Sequence, residues 1–277
     1  MKKTVYVFAF FVLIGVLSLA CLSPTISSPP APTPVPPTPT ESQPPASVDT
    51  PTPLPTSTPA DTPTPLPTST PADTPTPEAQ DFFTEEFNSS ADLWSYFIID
   101  GYQKDRLVEG DEPKVSVRTN NGYLVFEINK NYQYVYVTYD PYTYTDVRID
   151  VRAENFGVNN NNVSLICRYS DQGWYEFNIA NNGLYSILYA EWKPSKQVVY
   201  HLIANGGSNK IRMGKDVNEY TAICKGRTLQ LFINGYETNT LTENRFALRE
   251  GQVGISVSSF NVLPVHVEFD WVKITPP

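Results

Sequence analysis

Past residue 81 the chain alternates apolar and polar positions in short runs. In "VRIDVRA" (147–153), Val147, Ile149 and Val151 take one parity and Arg148, Asp150 and Arg152 the other. "VSLICRY" (163–169), "YEFNI" (175–179), "LYSILY" (184–189), "TLQLFI" (228–233), "VGISV" (253–257) and "VHVEFDWVKI" (265–274) continue the pattern. A period of two is that of a strand with one face buried. Turn-forming pairs separate the runs: Asn121-Gly122, Gln172-Gly173, Asn182-Gly183, Lys225-Gly226 and Asn234-Gly235. Asn-Gly between alternating runs marks a tight hairpin, because both residues tolerate the positive φ of the turn. No window of helical length sustains a period near 3.6. The pattern predicts an all-β fold of about a dozen short strands, closed as a two-sheet antiparallel sandwich over residues 81–277.

The first 80 residues belong to none of this. Lys2 and Lys3 precede an uncharged apolar run from Val5 to Leu19, the charge and hydropathy order of an export signal over residues 1–20. The run ends in "LSLAC", which resembles the lipobox at which a signal peptidase cuts before a cysteine that receives a lipid anchor, here Cys21. Ser18 departs from the Leu usual at its position. Lipidation, a retained anchor helix and simple secretion all fit the run, and all place the rest of the chain outside the cytoplasm. Residues 21–80 are a linker: of the protein's 26 prolines, 20 lie between Pro24 and Pro77. "DTPTPLPTSTPA" fills 49–60, repeats unchanged at 61–72 and begins again at Asp73. Such repeats have no apolar face to bury, and proline holds them near polyproline II. At full extension residues 22–80 would reach roughly 180 Å, so the segment reads as a disordered stalk carrying a folded head.

Charge and cysteines narrow the head's chemistry. Past residue 80 there are 18 Lys and Arg (20 less Lys2 and Lys3) against 24 Asp and Glu (29 less Glu41, Asp49, Asp61, Asp73 and Glu78). A net −6 leaves no electrostatic footprint for nucleic acid or anionic lipid. Cys167 and Cys224 are the head's two cysteines. Outside the cytoplasm they are expected to form one disulfide, the other reading being two separately buried thiols.

Four segments carry a family likeness: "GWYEFNIANNGLYSILY", the pattern N-x-Y-x-A-x-C-x-G-x-x-L-x-L-x-I-N-G from Asn218 to Gly235, F-x-x-x-x-G-x-V-G-I from Phe246 to Ile255, and the closing "VEFDWVKI". Together with "FFTEEFNSSADLWSYF" at its start, the head resembles the concanavalin A-like jelly rolls related to laminin G-type modules. It also resembles the 3-keto-disaccharide hydrolase and glycoside hydrolase family 16-like domains. The resemblance implies a jelly-roll sandwich, and such heads often stand behind Pro/Thr stalks on bacterial surface lipoproteins. Activity does not follow from it, because one fold hosts unrelated functions.

Catalysis finds little support in the residues. Retaining glycosidases need two carboxyl groups about 5 to 5.5 Å apart. The family 16 pattern E-x-D-x-x-E is approached only by "EFDWVK", where Glu268 and Asp270 fit but Lys273 stands in the place of the acid. A lysine beside carboxylates stays protonated and cannot run the same proton cycle. Asp270 therefore reads as structural. His201 and His266 have no metal-ligand spacing, and neither a G-x-S-x-G elbow nor a phosphate loop occurs. The 3-keto-disaccharide resemblance leaves a glycoside-processing enzyme as the alternative to a binding module.

A binding face is better supported. If Tyr175, Phe177 and Ile179 are core, then Trp174, Glu176 and Asn178 face outward. Arg148, Asp150 and Arg152 do so by the same argument, as do Ser164, Ile166 and Arg168. Meander order would bring these strands together and make Arg148, Arg168, Trp174, Glu176 and Asn178 one patch. Sugars stack on aromatic rings and pair their hydroxyls with charged and amide groups, which such a patch supplies. The same residues also suit a salt-bridged solvent face that needs no ligand. Tyr132, Tyr134 and Tyr136 share one parity in "NYQYVYVTYDPYTYTD"; Tyr134 and Tyr136 are added to the candidate site, although packed strand tyrosines would look alike. Trp192 suits either a rim or a hydrophobic plug. "NNNN" (159–162) with Asp171 is too thin for calcium, so no cofactor is expected. The expected protein is a non-catalytic carbohydrate-binding or adhesive module on the outer face of a bacterial envelope, held to the membrane by its N-terminal lipid, with a polysaccharide or surface glycan as partner. A protein-interaction head is the further alternative.

Overall fold

The computed structural model describes residues 78–277; the signal, Cys21 and the stalk up to residue 77 lie outside the described residues. Sixteen strands form two antiparallel sheets of eight. In spatial order the first sheet runs β14 (Tyr236–Thr242), β13 (Thr228–Ile233), β12 (Val217–Lys225), β7 (Val147–Asn155), β16 (Val265–Thr275), β5 (Tyr123–Ile128) and β4 (Val115–Asn120). Its eighth member, β1 (Phe83–Glu85), pairs with the end of β16. The second sheet runs β11 (Val198–Gly207), β10 (Leu184–Trp192), β9 (Gly173–Ala180), β8 (Asn161–Ser170), β15 (Gly251–Ser259), β6 (Gln133–Tyr144), β2 (Trp94–Asp100) and β3 (Arg106–Leu107).

The expected all-β sandwich is the observed one, and its strands follow from the period-two pattern. On β7 every odd residue from Val147 to Ala153 is buried against the other sheet, and every even residue is half-exposed. Leu229, Leu231 and Ile233 on β13 and Ala222 and Cys224 on β12 fill the same layer. From the second sheet Leu165, Tyr175, Phe177, Ile187, Val253 and Ile255 meet them. Asn121-Gly122 and Asn234-Gly235 both carry positive φ at the two turn positions, as the hairpins require.

Topology departs from the expected meander. The C-terminal strands enter the middle of each sheet, β15 between β8 and β6, and β16 between β7 and β5. β7 and β8, consecutive in sequence, therefore lie in opposite sheets. A disulfide joins Cys167 on β8 to Cys224 on β12 and so ties the two layers. This is the expected pairing.

Candidate functional site

The outward face of the second sheet is unlike an ordinary wet surface. Trp174 and Glu176 do point away from the core, on the parity opposite to Tyr175 and Phe177. Yet Trp174 is fully buried. Its ring lies 5.5 Å from Trp192, 5.6 Å from Tyr169, 5.8 Å from Phe97 and 5.0 Å from Tyr136. Ile99, Ile166, Ala190 and Val198 complete this second apolar cluster. Trp192 is thus the plug rather than the rim, and the indole is no platform for a ligand.

Beyond Trp174 the same face opens. A cleft of about 200 Å³ is lined by Tyr134, Tyr136, Tyr200, Phe260, Glu176 and Asn178, among others. Ser186, Asn162 and Asn178 also line an adjoining depression that runs on toward Leu202 and Asn205. The neighbouring strands place these residues: β9 pairs with β8 and β10 so that Asn178 stands between Ser164 and Ser186. Tyr134 and Tyr136 come from β6 and Tyr200 from β11.

Glu176 is the centre of the arrangement. It is 1% exposed, and its carboxylate accepts four hydrogen bonds. Tyr136 Oη donates to Oε2 at 2.8 Å and Trp174 Nε1 to Oε2 at 3.2 Å; Ser164 Oγ donates to Oε1 at 2.9 Å and Asn178 Nδ2 to Oε1 at 3.1 Å. Four donors fill the four acceptor sites of a carboxylate. Tyr136 has spent its single proton on Glu176, so in the 3.0 Å contact between Tyr136 and Tyr200 it is Tyr200 that donates. Tyr200 then presents acceptor lone pairs alone, and Asn178, which gives one amide hydrogen to Glu176, keeps its other N–H and its carbonyl oxygen. Burial, followed by the nearby carboxylates, pushes the Tyr134 hydroxyl up to about 12 and raises Tyr136 and Tyr200 well above their ordinary value. All three stay neutral at physiological pH.

One edge of the cleft is set by the loop after β2. Asp100 caps the 3₁₀ turn Gly101–Gln103 by accepting from the amides of Tyr102 (2.9 Å) and Gln103 (3.3 Å), and it binds Lys130 Nζ at 2.9 Å. Gly101 packs directly on Tyr134: a Cβ there would meet its hydroxyl at 2.8 Å. The loop ends at Asp105, held at φ 55°.

The structure thus brings together Glu176, Asn178, Tyr134 and Tyr136 of the expected patch and removes the two arginines. Arg148 lies on the first sheet, on the far side of the sandwich, bound to Asp150 by two 2.7 Å hydrogen bonds. The chain crosses between sheets after β7, so strand neighbourhood could not be taken from sequence order. Arg168 is buried as well: Nη1 donates to Leu248 O at 2.8 Å, and Nε and Nη2 donate to Thr145 O at 3.2 and 2.9 Å. A bulge between Cys167 and Ser170 breaks the alternation there, with Arg168 at φ 57°. Gly251 admits that bulge, since a Cβ on it would lie 2.4 Å from the Arg168 carbonyl carbon. Asp270 lies half-exposed on the first sheet, 3.2 Å from Arg152 and outside the lining of the cleft. Sequence reasoning missed Tyr200 and Phe260; "VVYHLI" carries apolar residues at both parities, so no alternation singles out Tyr200, and "SVSSF" ends on the ring that walls the cleft. Among the described residues no group of three His, Cys, Asp or Glu is placed to hold a metal ion.

No protein-family model matches the sequence, and no curated protein matches it. Solved structures do match. A family 16 glycoside hydrolase from a Bacteroides ovatus mixed-linkage glucan locus, solved with its product, shares 12% identity; the match covers 70% of this chain and 99% of that one at a TM-score of 0.51. A structure from work on endo-acting O-glycanases of the human gut microbiota matches at 12% identity, 71% and 99% coverage and a TM-score of 0.51. A carbohydrate-binding module from Bacillus subtilis is more distant, at 12% identity, 64% and 91% coverage and a TM-score of 0.44. The two likenesses at a TM-score of 0.51 establish the fold: a concanavalin A-like jelly roll.

Proposed function

We propose that the head binds a glycan on the outward face of its second sheet and does not cleave it. The observation that carries this reading is the state of Glu176. It is the one carboxylate lining the cleft, and all its acceptor sites are filled by protein donors. A general base needs a free lone pair, a nucleophile needs an open approach, and glycoside cleavage needs a second carboxyl group across the bond. Glu176 instead fixes Tyr136, Ser164, Trp174 and Asn178 in place. What remains is a floor of amides and hydroxyls under aromatic walls, the composition that sugars favour. Sugar-processing proteins of the same fold, such as the Bacteroides ovatus enzyme, support the ligand class.

On this reading the head is an adhesive or glycan-holding module, exported and held at the outer face of the envelope by a lipid on Cys21, with the Pro/Thr stalk as spacer. Glycan-array binding should be found and should weaken in Tyr200→Ala and Asn178→Ala, with no reducing ends released from the bound polysaccharide. Release of reducing ends that disappears in Glu176→Gln would overturn the non-catalytic reading. Binding to no polysaccharide at all would overturn the glycan reading. Cys21→Ala should shift the protein from the membrane fraction to the soluble one.

A further inference from the structure

The cleft has a charge character that glycan binding in general does not demand. Its walls are aromatic: Tyr134 and Tyr200 meet at 82° with ring centroids 6.1 Å apart, and Phe260 lies 6.3 Å from Tyr134. Under them sits Glu176, buried among neutral donors only. Hydrogen bonds from neutral groups spread its charge but do not cancel it. Asp105, half-buried at the end of the capped loop, adds a second negative charge that acts on both Tyr134 and Tyr200. Neither Glu176 nor Asp105 has a salt-bridge partner among the described residues, and no lysine or arginine lines the cleft. Tyr200, whose proton goes to Tyr136, adds acceptor lone pairs to the same cleft.

Three aromatic walls, a buried carboxylate with a second negative charge nearby, no cation in the lining and the lone pairs of Tyr200 favour one kind of group. A cation over a ring face is attracted by the ring quadrupole, more strongly where water is excluded, and here the surrounding field adds to that attraction. We propose that the cleft is a receptor for an organic ammonium group, so that the glycan it holds carries a free, protonated amine. N-acetylated, uronate or sulfated sugars would lack the cation or bring the wrong sign. This deepens the glycan-binding reading and rests on it.

The test titrates the full chain at pH 6 and low salt with a β-1,4-linked glucosamine trisaccharide, its N-acetylated counterpart, and choline. The free-amine trisaccharide should bind about tenfold more tightly than the acetylated one. That preference should shrink at about 0.5 M salt, where charges are screened over a few ångströms. It should also shrink in Asp105→Asn, since Asn readily adopts the left-handed backbone at that position, and in Phe260→Leu, which keeps an apolar side chain but removes the ring. Near-UV circular dichroism confirms that each variant is folded. Equal or tighter binding of the acetylated sugar would overturn the ammonium assignment and leave the glycan reading standing. An undiminished preference in both variants would also overturn it, by placing the amine elsewhere. Binding of choline without either sugar would uphold the ammonium site and sink the glycan reading, and silence from all three ligands would sink both.

Discussion

The two sheets turn very different faces outward. On the first, charges of both signs are interleaved: Arg148 with Asp150, Arg152 with Asp270 and Glu219, Arg118 with Glu127. These side chains are largely solvated, and each charge has its opposite beside it. On the second, tryptophan, tyrosine, phenylalanine and isoleucine replace the charges, and the central carboxylate, Glu176, is sealed beneath them. The first face carries the exposed ion pairs of a wet surface, each of which stabilises little. The second has a small core of its own, which makes half the face rigid and leaves a defined cleft at the other half. Outward parity is therefore not the same as exposure to water.

Four measurements would break or sharpen this contrast. The largest effect is expected from Trp174→Ala, which empties the middle of the outer cluster and should cost about 3 to 5 kcal/mol by denaturant unfolding, as a core truncation does. A cost below about 1 kcal/mol would place the indole on an ordinary surface. Next, Glu176→Gln preserves shape but turns an acceptor into a donor that faces donors. It should cost about 2 kcal/mol, by the penalty for unsatisfied buried groups, and it should weaken ligand binding by freeing Tyr136.

A smaller effect concerns the loop that borders the cleft. Burial pushes the Asp100 carboxyl up, but hydrogen bonds from Lys130, Gln133 and the Gln103 amide, with the Lys130 charge, outweigh it and hold the group below its ordinary value. A carboxyl depressed in the folded state contributes stability that is fully present above its unfolded value. That contribution is lost as pH falls from about 4 through the folded value. Asp100→Asn should flatten this acid limb of the stability profile, and an unchanged limb would show that the cap contributes nothing. The smallest effect belongs to the first sheet: Arg152→Ala, losing exposed ion pairs with Asp270 and Glu219, should change stability by less than about 1 kcal/mol. A larger loss would end the distinction between the two faces.

Much of the fold was legible from residues alone. The strands at 147–153, 163–169, 175–179 and 228–233 all lie within observed strands; of the three Asn-Gly turns, those at 121–122 and 234–235 carry positive φ at both positions, and Asn182-Gly183 carries it at the glycine alone. The site was legible in part. Glu176, Asn178, Tyr134 and Tyr136 were found by parity, which survives wherever pairing is regular. Arg168 was misplaced because one bulge shifts the register, and nothing in "LICRYS" announces a bulge. Arg148 was misplaced because neighbourhood in a jelly roll depends on which sheet the chain enters next.

The sequence by itself determined the all-β architecture and the inward and outward parity of most strands, since these depend on local alternation and turn chemistry; it pointed to the Cys167–Cys224 pairing, which the structure shows. Only the tertiary structure decided which outward residues share a face, that Trp174 is capped by Trp192, Tyr169 and Phe97, and that Glu176 has no free lone pair. Those facts arise from contacts between strands far apart in the chain, where the position of each side chain is fixed by the insertion of β15 and β16 into the two sheets rather than by its neighbours in sequence.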